Sequence, residues 1–381
     1  MFHDRDGDMK KIFTIGAILL LTTTAATAGG LDRSGQGIGI IFEEGNAVEL
    51  SFGQITPSVT GIASGVDLGG VGSGNMASPY TQMGLGFKYQ VKDNLSLSLI
   101  IDQPFGASVD YGDADAGYYT TTEGGASTAE VSSSAVTAVA RYNINSNFSV
   151  HGGVRYQTVE AAVSKPPVAG YEIDSEANSA TGYLVGVAYE SPEIALRVAL
   201  TYNSAISHDI TATETSAVSA NTTAVTTVET PESFNLEFQS GVAANTLVFG
   251  SIRYAKWTQF DYAPPVHAAL GQGSLQSYDD DTISYALGVG RKFSDQWSGA
   301  LSIGYEAATA GFAGDLAPTD GSKSIGIGGT YTADAFKITG GVRYIMLGDA
   351  ETEHPRIPGA TGSEFTDNSA IAIGLKISTT F

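Results

Sequence analysis

The chain contains no cysteine in 381 residues, so it has neither a disulfide framework nor a thiolate metal site. That absence fits an oxidising compartment. Positive charge is also scarce: 19 Lys plus Arg stand against 40 Asp plus Glu, a formal net charge of −21. Neutralising a phosphate backbone needs a basic surface, so nucleic acid is excluded as a partner. The five histidines, His3, His151, His208, His267 and His354, do not gather on one strand face as a metal site or triad requires. No catalytic residue, metal or cofactor is therefore expected, and the chain is read as a non-enzyme. Long apolar runs are missing as well. The run from Ile12 to Leu21 is much shorter than the roughly 20 residues a membrane helix needs, and no later stretch approaches that length. A membrane location would demand the other spanning solution, a closed β-barrel.

Lys10 and Lys11 precede that short run, and Ala26-Thr27-Ala28 offers a small-residue cleavage site before Gly29. Residues 1–28 are read as an export signal. Asp4, Asp6 and Asp8 occupy what would be its basic start, so Met9 is the expected first residue. The remainder is rich in Gly (47) and Tyr (18) and poor in charge (15%), a composition of strands and tight turns.

Period-two alternation runs through most of the chain. At the C-terminus Ile371, Ile373, Leu375 and Ile377 alternate with Ala372, Gly374, Lys376 and Ser378, and the parity continues to Phe381. Alternation alone fits a soluble sandwich or a membrane barrel. Connection lengths separate the two. Short turn signals at 92–94, 145–147, 191–193, 244–245, 294–295 and 333–334 alternate with long polar stretches, as in outer-membrane barrels with short periplasmic turns and long external loops. About 14 antiparallel up-and-down strands are expected, at 46–60, 80–91, 94–104, 129–143, 148–163, 178–190, 193–210, 231–243, 246–261, 281–293, 296–308, 322–332, 335–347 and 368–381. The Thr/Ser/Ala-rich stretch 211–230 reads as a loop. Acidic segments at 110–115, 279–281 and 349–353 read as solvated loops, with divalent-cation binding at a lipopolysaccharide surface left open. The expected organisation is a signal at 1–28, a short N-terminal plug segment at 29–45 and a transmembrane β-barrel at 46–381 in the bacterial outer membrane.

A repeated fragment, Phe87-Lys88-Tyr89, Ala140-Arg141-Tyr142, Val154-Arg155-Tyr156, Ile252-Arg253-Tyr254 and Val342-Arg343-Tyr344, puts each Tyr outward at the lipid and each basic residue in the lumen. The alternative is a Tyr packed in a β-core. On the ninth strand Phe249, Arg253 and Trp257 share the inward face, and Arg155 and Arg343 point inward at a similar height, roughly 15 to 20 Å above the periplasmic turns. A guanidinium flanked by aromatics suits an amphipathic ligand with a carboxylate. Glu49, Glu237 and Glu306 also face inward, so an internal salt-bridge lattice is the competing reading.

Several segments resemble the FadL-type outer-membrane transporters of long-chain fatty acids and their aromatic-hydrocarbon relatives. They are Arg33-Ser34-Gly35-Gln36, Asn46 to Gly53, Asp102-Gln103-Pro104-Phe105-Gly106-Ala107, Pro231 to Phe238, Ser251 to Trp257, Trp297 to Glu306 and Gly340 to Tyr344. The resemblance implies passive capture of a hydrophobic compound, most often a long-chain fatty acid, in a lumenal pocket, with lateral release into the bilayer. It also implies an N-terminal hatch, commonly carrying Asn-Pro-Ala, a tripeptide this chain lacks. Outer-membrane lipid, lipopolysaccharide and, through the C-terminal strand, the barrel-insertion machinery are the further partners expected. Lateral release needs a gap between strands. Alternation fails at Leu99-Ile100-Ile101, Pro104 removes a backbone donor, and Gly106 permits unusual dihedrals, so Ile101, Pro104 and Gly106 form the candidate gate. The other reading has Pro104 simply ending the third strand. A general diffusion porin with a charged constriction and a structural or adhesive barrel remain as alternative functions.

Overall fold

A computed structural model describes residues 31–121, 125–309, 311–314 and 316–381; the export signal expected at 1–28 lies outside them. Fourteen antiparallel strands close into one barrel: β1 Ala47–Ser58, β2 Tyr80–Lys92, β3 Leu95–Asp102, β4 Thr128–Asn143, β5 Phe148–Lys165, β6 Asn178–Ser191, β7 Leu196–Asn203, β8 Ser233–Ala243, β9 Thr246–Ala255, β10 Thr282–Lys292, β11 Trp297–Glu306, β12 Ser322–Thr332, β13 Lys337–Leu347 and β14 Ser369–Thr380. Each pairs with its sequence neighbour, and β1 closes the ring on β14 from Ala47↔Thr380 to Ser58↔Ser369. Pairing the first strand with the last leaves the sheet without a free terminal strand. Beyond the strand end, Phe381 still exchanges backbone hydrogen bonds with Asn46, at 3.0 and 3.3 Å.

The two faces divide as the alternation requires. Ile371, Ile373, Leu375 and Ile377 of β14 are exposed on the outer wall, while Ala370, Ala372 and Lys376 are buried inside. Of the repeated tyrosines, Tyr89, Tyr142, Tyr156 and Tyr344 are exposed outward and their neighbours Lys88, Arg141, Arg155 and Arg343 are buried in the lumen. An aromatic row, Tyr183, Tyr202, Phe234 and Tyr254, runs across β6 to β9 with ring centroids 5.0 to 6.4 Å apart, suiting an interfacial girdle. The six short turns lie at one barrel end and the long connections at the other.

Three expectations about strands fail. The 193–210 strand stops at Asn203, and 211–230 is not a loop: Ile206–Ser216 and Ser219–Thr230 form a hairpin standing above the wall, with Ile206–Ser216 also paired to a short strand Tyr171–Ser175. Thr and Val supply the β-branched preference for such a hairpin; one face buries Ile206, Ile210, Ala212 and Val228, and the other, with Ser207, Asp209 and Thr213, is exposed. Trp257 belongs to a 3-10 turn, Trp257–Gln259, after β9 has ended at Ala255.

Residues 31–45 run through the barrel interior. A single 3-10 turn, Gly39–Phe42, packs Ile40, Ile41 and Phe42 with Ile38 against Val139, Leu184, Ala188 and Ala199 of the inner wall. The Phe42 ring lies between two guanidiniums, Arg141 at 4.7 Å and Arg197 at 4.6 Å from its centroid. Lys88 Nζ donates to the carbonyls of Glu43 and Gly45, fixing the chain where it enters β1.

Candidate functional site

The third strand neither simply ends nor runs on at Pro104. β3 stops at Asp102, opposite Ala135 of β4, and a strand Gly106–Asp110 resumes opposite Ser132. Three residues, 103–105, thus oppose two on β4, a one-residue bulge made compatible by the absent amide hydrogen of Pro104. The kink is gripped from inside by the N-terminal segment: the Arg33 amide donates to the Pro104 carbonyl at 2.8 Å and the Gly106 amide to the Leu31 carbonyl at 2.8 Å. Ser34 Oγ donates to Asp102 Oδ2 at 2.5 Å. Gly106 is not in the left-handed region; its missing side chain makes room for Arg33, whose Cζ is 2.6 Å from where a Cβ would stand.

On its other side the kinked strand parts from β2. The β2–β3 ladder ends at Leu85↔Ile101, and backbone contact resumes only where the Ser78 amide meets the Ser108 carbonyl and Ala77 bridges Val109. Between these points the Met83 amide turns to a side chain, donating to Gln103 Oε1 at 3.0 Å. A cavity of about 760 Å³ lies at this break, lined both by inward residues such as Gln82 and Lys376 and by the outward Met83 and Ile101.

Deeper in the lumen lies a polar layer. Arg253 points inward as parity requires, but its partners come largely from the N-terminal segment and β8: Nε donates to Asp32 Oδ2 at 2.6 Å, and Nη1 to Ser233 Oγ at 2.9 Å and Asn235 Oδ1 at 2.8 Å. Arg155 donates to Thr137 and Asn203 and faces Asp102 without forming an ion pair. Arg343 donates to Ser324 and Ser302, long at 3.3 and 3.4 Å. None of the three uses Glu49, Glu237 or Glu306: Glu49 pairs with Lys376 at 3.4 Å, and Glu306 accepts from Ser284. The wall-to-wall lattice is thus replaced by one that ties the N-terminal segment to the wall. Arg33, Arg253 and Arg343 line one cavity of about 800 Å³, and each keeps one buried N–H without a partner, at Nε, Nη2 and Nε respectively.

Phe249 and Trp257 are both buried, but the structure does not bring them together. Phe249 packs with Ala195, Leu247 and Ala300 toward the periplasmic turns. Trp257 packs with Leu31, Phe105 and Ala255, 5.7 Å edge-on to the Phe105 ring.

Trp257 and Phe105 form the floor of a third cavity, at the outer end of the barrel. Its surface is almost entirely apolar, built from Val131, Val159, Ile210, Val228, Phe260 and Leu275 among others, with no charged residue. An uncharged, apolar lining suits a hydrophobic small molecule. Burial pushes the Tyr262 phenol at its edge up to about 12, so it stays neutral. These residues escaped sequence reasoning, which concentrated on charge. A signal was present in β5, whose inward positions change from polar, His151, Arg155 and Gln157, to apolar, Val159, Ala161 and Val163.

Residues 54–381 match the family model described as outer membrane protein transport protein (OMPP1/FadL/TodX). No curated protein matches the chain. Among solved structures, a Pseudomonas aeruginosa FadL homologue superposes with a TM-score of 0.74 at 12% identity, over 95% of this chain and 98% of that one. The Pseudomonas putida toluene transporter TodX gives 0.63 at 13% identity, over 90% and 91%. The Ralstonia pickettii toluene transporter TbuX gives 0.60 at 13%, over 90% of each. At such identities the structural likeness concerns the fold.

Proposed function

Since the chain belongs to the OMPP1/FadL/TodX family of outer-membrane transport proteins, we propose that it is a passive carrier that holds a hydrophobic compound in the apolar outer cavity and releases it sideways between β2 and β3. The observation that carries this reading is the pairing of the two features. One uncharged cavity sits above a kink, and the kink is the place where the wall's hydrogen-bond ladder is interrupted. Residues 31–45 act as the plug. They fill the lower lumen with Ile40, Ile41 and Phe42, which leaves the side exit as the shorter way out for an apolar ligand.

A long-chain fatty acid is the substrate we favour. Its chain suits the apolar cavity, and the polar cavity adjoining across Leu31 and Asp32 offers three guanidinium N–H groups to a carboxylate. Arg253 and Arg343 then contact the head group, with Arg155 adding to the positive field. The second reading is an aromatic hydrocarbon, favoured by the uncharged lining of the cavity and by the toluene transporters among the structural relatives.

The absence of cysteine makes the exit directly testable. Met83→Cys with Gln103→Cys, bridged by a short bifunctional thiol reagent, closes the break. We expect the bridged barrel to bind radiolabelled oleate or toluene as the parent does, yet to lose delivery in cells, with delivery restored when the bridge is cleaved. Undiminished delivery through the bridged barrel rules out the β2–β3 exit.

A further inference from the structure

The apolar cavity is roofed on one side by the connection between β9 and β10. Asp261–Tyr262 pairs with Gln276–Ser277 as a two-stranded ribbon whose Tyr262, Leu275 and Gln276 line the cavity. At the tip of the ribbon sit a helical turn, Pro265–His267, and the irregular turn Ala268–Gln272 that follows it. The chain turns back through Gly271 and Gly273, both with positive φ and both with open space where a side chain would stand. Such a ribbon is free to hinge unless its tip is held.

Among the described residues, the hydrogen bonds from the tip to the rest of the barrel all go to one side chain, beside the apolar packing of Val266. Glu214, on the extracellular hairpin, is 1% exposed, and its carboxylate accepts three hydrogen bonds: from the Val266 amide at 3.1 Å, the His267 amide at 3.0 Å and the Tyr171 hydroxyl at 2.9 Å. The His267 ring, 1% exposed, packs on Tyr171 with centroids 4.9 Å apart. Glu214 plays no part in the polar layer or the wall break. It joins three separate connections, those carrying Tyr171, Glu214 and Val266, across the outer mouth of the barrel. A carboxylate taking amide and phenol donors away from water makes stronger bonds than a neutral acceptor would. Every donor is accounted for, so what Glu214 holds is the lid itself.

We propose that Glu214 is a positioning residue that latches the 260–278 ribbon closed over the apolar cavity, so that release of the Val266 and His267 amides opens the route by which a hydrophobic ligand enters. The inference rests on the carrier reading for its purpose, but the latch is a property of the unliganded barrel and is tested there. Glu214→Ala removes all three bonds. Glu214→Gln keeps the shape but sets an amide NH₂ against the backbone donors. Hydrogen exchange of the intact barrel in detergent is expected to accelerate roughly ten- to a hundredfold at the Val266 and His267 amides in Glu214→Ala, less in Glu214→Gln, with the barrel strands unchanged. The chain has two tryptophans, Trp257 in the cavity floor and Trp297 on the outer wall. In a Trp297→Phe background Trp257 alone therefore reports access. Quenching by acrylamide is expected to rise several-fold with Glu214→Ala. Unchanged exchange at 266–267, or faster exchange without greater quenching, overturns the latch. A final arm adds 1-bromododecane as an apolar quencher of Trp257. Faster quenching in the variant supports gated entry, whereas equal rates in parent and variant overturn it. Failure of the bromoalkane to quench the parent counts against the carrier reading and leaves the exchange result to decide the latch.

Discussion

The outer and inner halves of the lumen are built from the same fourteen strands, yet they solve opposite problems. In the inner half Arg253, Asp32, Asn235 and Ser233 knit the N-terminal segment to the wall, and Ile40, Ile41 and Phe42 fill the space that remains. In the outer half the inward side chains become small or apolar and line an uncharged cavity. The polar half confers shape on the barrel, and the apolar half offers a surface for a hydrophobic ligand. The boundary is the stretch Leu31 to Ser34, whose backbone is bonded to the kink at Pro104 and Gly106. The proposed exit and the partition therefore share one set of hydrogen bonds, and displacement of one bears on the other.

The harshest way to break the comparison is to empty the filled half. Deletion of residues 31–42 removes the side chains that occupy the lower lumen, and we expect steady single-channel conductance in planar bilayers to rise from near zero to a porin-like level. Equal conductance in the parent and the deletion means that the segment does not seal the barrel. A parent that already conducts like an open pore favours the general diffusion porin instead.

A milder disturbance targets the apolar half. Ile210, 4% exposed, lines the apolar cavity, and Ile210→Asp places a carboxylate where no charged neighbour receives it. The cost falls on the ligand, which must share its enclosure with a solvated anion. Toluene or oleate affinity measured by equilibrium binding is expected to fall roughly thirtyfold, of the order expected for an unsatisfied polar group in an apolar site. Retained affinity would move the binding site out of this cavity.

How much of this was legible beforehand follows from what kind of physics wrote each part. The barrel was readable because lipid outside and lumen inside impose strict alternation, as in Ile371 to Ile377, and because short and long connections alternate. The inward direction of Arg253 and Arg343 followed from the same parity. Their partners did not, since parity fixes a direction and says nothing about which element shares the lumen. Asp32 was paired with Arg253 only by the path of the N-terminal segment, a contact across 221 positions of sequence. The hairpin at 206–230 was missed because its buried face mixes Ile206, Ile210 and Val228 with His208, Ala212, Glu214 and Thr230, which thins the hydrophobic half of the strand signal and leaves mainly the Thr and Val preference. The apolar cavity is likewise assembled from the ends of several strands, three connections and Leu31, each contributing a few residues.

The finest way to sharpen the comparison asks whether the two halves serve one ligand jointly. Arg253 is a poor place to ask, because Arg253→Ala strips Asp32 of its partner and confounds binding with stability. Arg343 is better placed. It lines the same polar cavity, donates only to Ser324 and Ser302, and has no carboxylate of its own to orphan. Arg343→Met keeps the bulk of the stem and removes the charge. If the fatty-acid carboxylate reaches the inner half while its chain lies in the outer one, oleate affinity should fall roughly tenfold, the worth of one charge-assisted hydrogen bond, while toluene affinity is unchanged. Equal affinity for oleate in parent and variant would confine the ligand to the outer half and favour the hydrocarbon reading. The polar layer would then be scaffold alone.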